Sequence, residues 1–288
     1  MVFEDYLTLC KPKVVLVMLI TALVGMHLAT QSFVPWKILI FSSLGIALMG
    51  GSAAAVNHLV DRHIDAKMQR TANRPLVNKR ISTKQALTFA TFMGLAGFLV
   101  LIIWINALTA FLTLLTFLGY AVLYTRFLKR LTPQNIVIGG IAGAMPPLLG
   151  WTSVTNEMSA FAWLLVLIIF AWTPPHFWAL AIYRQEDYRH AAIPMLPITH
   201  GVAFTKLHVI LYTILLLVVS LLPYATKMSG HFYAATAVFL GMLFLKYAYK
   251  LYKSDNPHTA IQTFYFSIVY LLGIFSALLI DHYIPYTY

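Results

Sequence analysis

Asn57, Asp61 and Asp65 stand four residues apart in the segment GSAAAVNHLVDRHIDAKMQRTANRPL, residues 51–76, at the edge of a long apolar run. On an α-helix four residues turn through about 400° and rise about 6 Å, so each step drifts only about 40° and all three share one face. Two carboxylates that close repel one another and would raise each other's pKa unless a cation sits between them. Oxygen-only ligands at an open site suit Mg2+, which prefers one or two carboxylates plus waters and phosphate oxygens to a closed protein cage. The chain has only 9 Asp and Glu among 288 residues, which weighs against a solvated helix end whose acids merely pair with Arg62 and Lys67.

Arg70, Thr71, Asn73 and Arg74 follow, ahead of Pro75. Guanidinium forks in this position suit bidentate contact with phosphate, and a metal beside arginines points to a diphosphate. Two further segments are expected on the same membrane face: Tyr124-Thr125-Arg126-Phe127-Leu128-Lys129-Arg130 and Tyr183-Arg184-Gln185-Glu186-Asp187-Tyr188.

The elements that must position these residues follow from composition. With 60% hydrophobic residues, 10% charged residues and a mean hydropathy of +0.78, the chain lies far from the soluble balance, in which about a quarter of residues are charged. Apolar stretches long enough to cross roughly 30 Å of hydrocarbon recur near residues 14–30, 37–60, 85–105, 107–127, 135–153, 160–183, 206–224, 231–250 and 262–281. None shows two-residue alternation, so they read as helices rather than barrel strands. The expectation is an all-α, polytopic membrane protein: one bundle of nine transmembrane helices forming a single domain over residues 1–288, with no long polar linker.

Basic residues are retained on the cytoplasmic side, and 18 of the 20 Lys and Arg fall before the first span or after even-numbered ones, leaving Lys37 and Lys227 opposite. This places the N-terminus and the acid-bearing loops in the cytoplasm and the C-terminus outside. The net charge of +11 then reflects topology and anionic lipid rather than nucleic acid. Glu4 and Asp5 precede the first apolar run, no small-residue cleavage pattern follows it, and no Arg/Ser-rich presequence is evident. The first span is therefore expected to remain, in the plasma membrane of a prokaryote. Cys10 is the single cysteine, which excludes disulfides within one chain.

The motif NHLVDRHID with downstream RTANRPL resembles the first aspartate-rich motif, N-x-x-x-D-x-x-x-D, of the intramembrane UbiA-type prenyltransferases. YLTLCKPKVV (6–15), YTRFLKRLTPQNIVIGGIAGAMPPLLGW (124–151) and WTPPHFWALAIYRQEDYRHAAIPMLP (172–197) are similar to the haem-directed branch of that family. The resemblance runs from about residue 6 to 201; beyond that it is one of hydropathy. It implies a nine-helix bundle whose cytoplasmic-side cavity opens laterally toward lipid. It also implies transfer of a farnesyl group from farnesyl diphosphate to the 2-vinyl group of haem b, with water addition.

Carried over residue by residue, the resemblance makes Asn57, Asp61 and Asp65 ligands of Mg2+, with Asp187 from a second motif. Tyr183 stands where the phenol-directed relatives carry the first Asp of that second motif, which leaves the number of metal ions open. Asp61, Asp65, Lys129, Arg130 and Tyr183 form the implied catalytic set, while Arg70, Arg74, Lys129, Arg130 and Arg184 would bind diphosphate. Tyr120, Tyr124, Phe177, Trp178 and Tyr183 could shelter a developing carbocation with their π faces. His176, in WTPPHFW, is the choice for haem contact together with Trp178 and Tyr124, since Pro174 and Pro175 are expected to break the helix ladder there. His58 and His63 flank the acids on other helix faces, and Pro146-Pro147 reads as packing and kinking. A haem A synthase or a terminal oxidase is the implied recipient of the product.

Two alternatives remain on the residues alone. Prenylation of a quinone or chlorin precursor would use the same metal and diphosphate chemistry. A secondary transporter would also mix charges with broken helices, but near the bilayer midplane rather than at one surface.

Overall fold

Hydropathy settles the architecture, because backbone N–H and C=O groups in hydrocarbon must be satisfied within each segment. The computed structural model describes residues 2–285, and they form helices with no strand among them. In chain order these are α1 (Val2–Leu9) and α2 (Pro12–Leu28), then α3 (Trp36–Asp65), α4 (Thr83–Trp104), α5 (Ala107–Leu131), α6 (Asn135–Thr155) and α7 (Ala160–Tyr183). Short α8 (Gln185–His190) and α9 (Leu196–Thr199) lead to α10 (Val202–Ala225), α11 (His231–Lys253) and α12 (Pro257–His282). Eight of these helices are long and apolar enough to span a membrane by themselves, and α1 with α2, bent by 53° to each other, brings the number to nine when the pair is taken as one span. The nine expected spans are thereby accounted for, with an extra helical segment, α1, that hydropathy had not separated.

The bend between α1 and α2 has a local cause. Pro12 opens α2 and disfavours a right-handed helical conformation at the residue before it. Lys11 adopts a left-handed conformation at φ 49° and ψ 61°. The chain therefore turns at Lys11, whose side chain leaves the helix axis toward α3.

Helix α7 is the centre of the bundle, with 72% of its apolar window buried. Leu165, Ile168, Ile169 and Trp172 pack in one core with Leu148 of α6, Leu216 of α10, Phe244 of α11 and Ile274 of α12. By contrast α4 turns Phe92, Leu95 and Ile103 outward, as a lipid-facing helix should.

Close crossings use glycine. A Cβ on Gly25 of α2 would run into the backbone of Pro147, and one on Gly150 of α6 into the backbone of Ala22. Van der Waals contact, rather than a hydrophobic driving force, holds helices together in lipid, and small residues let backbones meet. Pro146 also starts the second half of α6 after a break at Met145. The expected role of Pro146-Pro147 in kinking and packing is what the structure shows.

Pro174 and Pro175 behave differently from expectation, for α7 remains helical from Ala160 to Tyr183. The two prolines remove N–H donors, but their fixed φ is helical, and the surrounding core is packed closely enough to hold the turn.

At the opposite end of the bundle Asp281 closes the N-terminus of α11. Its carboxylate accepts from Gly230 N at 2.5 Å and from Tyr233 N at 2.9 Å. Asp281→Ala would leave both buried donors unpaired at a cost of about 2 kcal/mol. The expected result is a lower Tm in detergent with unchanged turnover at low temperature, since this end lies remote from the acid-rich motifs.

Candidate active site

The acid motif lies on the last turns of α3, which continues as a helix to Asp65. Asn57, Asp61 and Asp65 are all buried, on one face as the spacing predicts. Each meets a cation from a different part of the chain. Lys11 Nζ donates to Asn57 Oδ1 at 2.5 Å, Lys129 Nζ to Asp61 Oδ2 at 2.6 Å, and Arg74 Nη1 to Asp65 Oδ2 at 2.5 Å. Asn57 Nδ2 also donates to Asp61 Oδ2 at 2.9 Å, so the motif is cross-linked along its own face.

The loop after α3 coils back on itself and brings its arginines to the motif. Thr71 Oγ1 donates to the Asp65 carbonyl at 2.8 Å, and Thr71 N and Ala72 N bond to the Met68 carbonyl. This tight path returns Arg74 to Asp65, nine residues earlier. Arg70 stays exposed but acts electrostatically on Lys11, His58 and Tyr188. Arg80 pairs with Asp5 of α1 at 3.1 Å, tying the loop to the N-terminal helix.

Helix α5 reaches the site through a wide turn. From Gly119 to Leu128 it is a π-helix of 10 residues, a geometry concentrated at functional sites. Thr125 Oγ1 donates to the Tyr120 carbonyl five residues back at 2.8 Å and accepts from Asn57 Nδ2 at 3.2 Å. The Tyr124 ring stacks on Tyr120 with centroids 5.6 Å apart and lies against Gly139, where no Cβ would fit. This winding carries Lys129 to Asp61 and leaves Arg130 exposed, with no ion pair to it seen among the described residues.

The second motif closes the other side. Met68 from the α3–α4 loop is buried with Trp178, Ile193 and Met195, and Tyr183 and Tyr188 pack on the same cluster. Tyr188 is within electrostatic reach of Tyr124 and of Arg70, so the three basic segments do converge. Burial pushes the Tyr188 phenol up from its ordinary range, while the nearby Arg70 guanidinium pulls the other way. Arg184 lies over the Tyr183 ring at 5.0 Å and 3.9 Å from Asp187 Oδ2, an ion pair too long to be a hydrogen bond.

Burial is incomplete in its compensation here. Asp61 Oδ1, Asp187 Oδ2 and Arg184 Nε are buried without a hydrogen-bond partner, as are both ring nitrogens of His58. A buried polar atom left unpaired costs about 1–3 kcal/mol; Asp61 Oδ1 is a vacant acceptor for a cation, while Asp187 Oδ2 has only the long ion pair to Arg184. The donor set is oxygen only, which fits Mg2+. Among the described residues no three His, Cys, Asp or Glu side chains come together. A metal here must draw on Asn57 and on oxygens that come with a ligand. Lys11, Arg70, Arg74 and Lys129 outnumber Asp61 and Asp65, so the cluster also has positive charge to offer an anion.

His176 and Trp178 lie deeper. His176 Nδ1 is 2.6 Å from Ser267 Oγ of α12, and its ring is stacked between Trp172 at 4.1 Å and Phe264 at 4.5 Å. Trp178 packs edge-on against Tyr212 of α10 at 5.2 Å. In this structure both are joints between helices, roughly 8–10 Å along α7 from Tyr183. Phe177 is partly exposed and meets His176 edge-on, and His63 is exposed in the last turn of α3.

Lys11 and Thr125 join the site without having been singled out by spacing. Lys11 was counted as a topological charge and reaches Asn57 across 46 residues, although its segment was among those carrying the resemblance. His58, on another face of α3 as expected, proves to be buried against the cationic cluster. Lys129→Gln, which strips Asp61 of its ammonium partner, is expected to lower kcat/KM about 100-fold. Arg130→Gln should cost much less. Steady-state prenyl transfer by the two purified variants makes the comparison.

Comparison with known proteins gives the family and the fold. The UbiA prenyltransferase family matches residues 18–272. The chain is 61% identical over 282 residues to protoheme IX farnesyltransferase 1 of Pseudomonas putida, covering 98% of this chain and 95% of the relative. A solved structure described as digeranylgeranylglyceryl phosphate synthase superposes with a TM-score of 0.81 at 18% identity, over 97% and 98% of the two chains. A UbiA homologue from Archaeoglobus fulgidus, solved bound to GPP and Mg2+, superposes with a TM-score of 0.66 at 15% identity, over 95% and 99%. The fold is shared across all of these, the sequence closely with the first, and the chain belongs to the UbiA prenyltransferase family.

Proposed function

We propose that this chain transfers a farnesyl group from farnesyl diphosphate to the 2-vinyl group of protoheme (haem b), giving haem O and diphosphate. The acceptor and the prenyl length rest on the 61% identity to a protoheme IX farnesyltransferase over nearly the whole of both chains. The diphosphate chemistry rests on one geometric observation: a buried carboxylate oxygen of Asp61 without a hydrogen-bond partner, in a cluster with the cations Lys11, Arg74 and Lys129.

Asn57, Asp61 and Asp65 of the first motif would hold Mg2+, with Asp187 serving the second motif's side of the diphosphate, consistent with the UbiA homologue solved with GPP and Mg2+. When bound, the metal neutralises charge on the diphosphate and so eases departure of the leaving group. Lys11, Arg70, Arg74 and Lys129, with Arg130 and Arg184 at the rim, bind the phosphate oxygens and stabilise the charge that builds there as the allylic C–O bond breaks. The electron pair of that bond leaves with diphosphate. The terminal carbon of the haem vinyl group bonds to C1 of the farnesyl cation, and the positive charge moves to the carbon next to the ring. Water adds there and loses a proton, which leaves a hydroxyethylfarnesyl side chain.

Tyr120, Tyr124 and Tyr183 border the site and offer π faces to the cation, while Trp178 and His176 pack between the helices behind it. In this reading the site faces the cytoplasm, with the N-terminus on that side and the C-terminus outside, which the distribution of basic residues supports, and the cavity opens laterally to lipid, as the family resemblance implies. A haem A synthase or a terminal oxidase is the recipient of the product.

Incubating the purified protein with labelled farnesyl diphosphate and either haem b or 4-hydroxybenzoate tests this directly. Mass analysis should find the hydroxyethylfarnesyl adduct with haem alone; label on the phenol would replace this acceptor with a quinone precursor.

A further inference from the structure

A groove of about 690 Å3 runs between α11 and α12, lined by no residue of the aspartate motifs. Its walls are graded. Leu243 and Val269 lie at the inner end, Tyr247 and Phe266 stack across the middle with ring centroids 4.5 Å apart, and Lys246, Lys250 and Gln262 lie toward the outer end. Along α12, Gln262 and Val269 are separated by roughly 10 Å of helix rise. The groove therefore has the polarity of an amphiphile: apolar toward the bilayer interior, cationic toward the end of α11.

The two lysines have no acidic partner among the described residues. Lys250 Nζ reaches only Gln262 Oε1, at 3.4 Å, and no contact to the Lys246 ammonium is seen. The neighbouring charges are engaged elsewhere. Lys253 lies over the rings of Tyr249 and Tyr252 at 5.9 and 5.8 Å, and Asp255 pairs with Lys206 at 3.1 Å. An ammonium a turn or two inside a spanning helix is costly without an anion or an aqueous outlet, and basic pockets between transmembrane helices bind anionic lipid headgroups.

We propose that this groove is a binding site for an anionic glycerophospholipid of the leaflet that faces the basic loops. Lys246 and Lys250 hold its phosphate, and Tyr247, Phe266, Leu243 and Val269 take an acyl chain. The site is separate from the prenyl transfer chemistry and does not rest on the identity of the acceptor.

Native mass spectrometry of the full-length protein, with phosphatidylglycerol or phosphatidylcholine of the same acyl chains added in equal amount, tests it. Two lysines near a surface correspond to a preference on the order of 30-fold for the anionic lipid. The Lys246→Gln/Lys250→Gln variant should lose that preference while keeping its prenyl transfer activity in lipid-free detergent, which establishes that it folds. Equal retention of the two lipids by the unaltered protein, or an undiminished preference in the variant, overturns the proposal. So does a variant that retains lipid normally but needs far more haem for half-maximal rate, because the groove would then serve the substrate.

Discussion

Asp61→Asn is expected to abolish turnover to within about a thousandth of the starting kcat/KM while leaving the bundle folded. Asp61 is the crossing point of the site: one carboxylate oxygen takes Lys129 at 2.6 Å and Asn57 at 2.9 Å, and the other is buried and vacant. The amide keeps the size and one acceptor oxygen but loses the charge that a divalent ion needs, and it turns an NH2 group toward an ammonium. Loss of one preorganised electrostatic contact costs about 10²- to 10³-fold, and here a metal ligand and a lysine anchor go together. The Lys129 ammonium is also left without its counter-charge, but its side chain is only partly buried. The check is haem O formation by purified protein, with size-exclusion behaviour and Tm as controls for folding. The same loss should follow thorough chelation and be reversed by Mg2+. Wild-type turnover in the presence of excess chelator would remove the metal from the mechanism.

The second large effect concerns assembly. Gly25→Val and Gly150→Val should each prevent most of the protein from folding, because the added carbons meet backbone rather than pliable side chains. At Gly25 a Cβ would lie 2.9 Å from the Pro147 carbonyl carbon, and at Gly150 2.8 Å from that of Ala22, with the carbonyl oxygens closer still. Neither α2 nor α6 can retreat alone, since both also pack on the core around Trp151 and Leu165. Overpacking costs about 1–3 kcal/mol where neighbours can yield, and here the cost should exceed that range. Gly143→Ala is the control, for nothing lies within 4 Å of the added carbon. Yield of monodisperse protein after solubilisation separates the three variants.

What the sequence revealed follows from the range of the forces involved. Hydropathy acts over each segment independently, so the spans could be read one at a time, down to the ninth. The shared face of Asn57, Asp61 and Asp65 was equally legible, because helix periodicity fixes it within eight residues. Lys11 was not, since its contact with Asn57 depends on a left-handed residue before Pro12 and on two helices meeting. Thr125 was hidden for a related reason: a regular helix would aim it differently, and only the π winding turns it to Asn57. Prolines 174 and 175 misled on local grounds, for chain propensity argued a break that the packing around α7 overrides. His176 shows the same limit from the other side, its Ser267 partner lying 91 residues away on the last helix.

The widened stretch of α5 makes residue count a chemical variable. Removing one amino acid anywhere between Gly119 and Leu128 would let the coil tighten to ordinary pitch. Everything downstream would then change its phase and height along the axis, taking the Lys129 ammonium off the carboxylate it now touches. Hydropathy, span number and net charge would be almost unchanged by such a deletion. Spacing along this segment is thus as much a part of the catalytic apparatus as any side chain it carries.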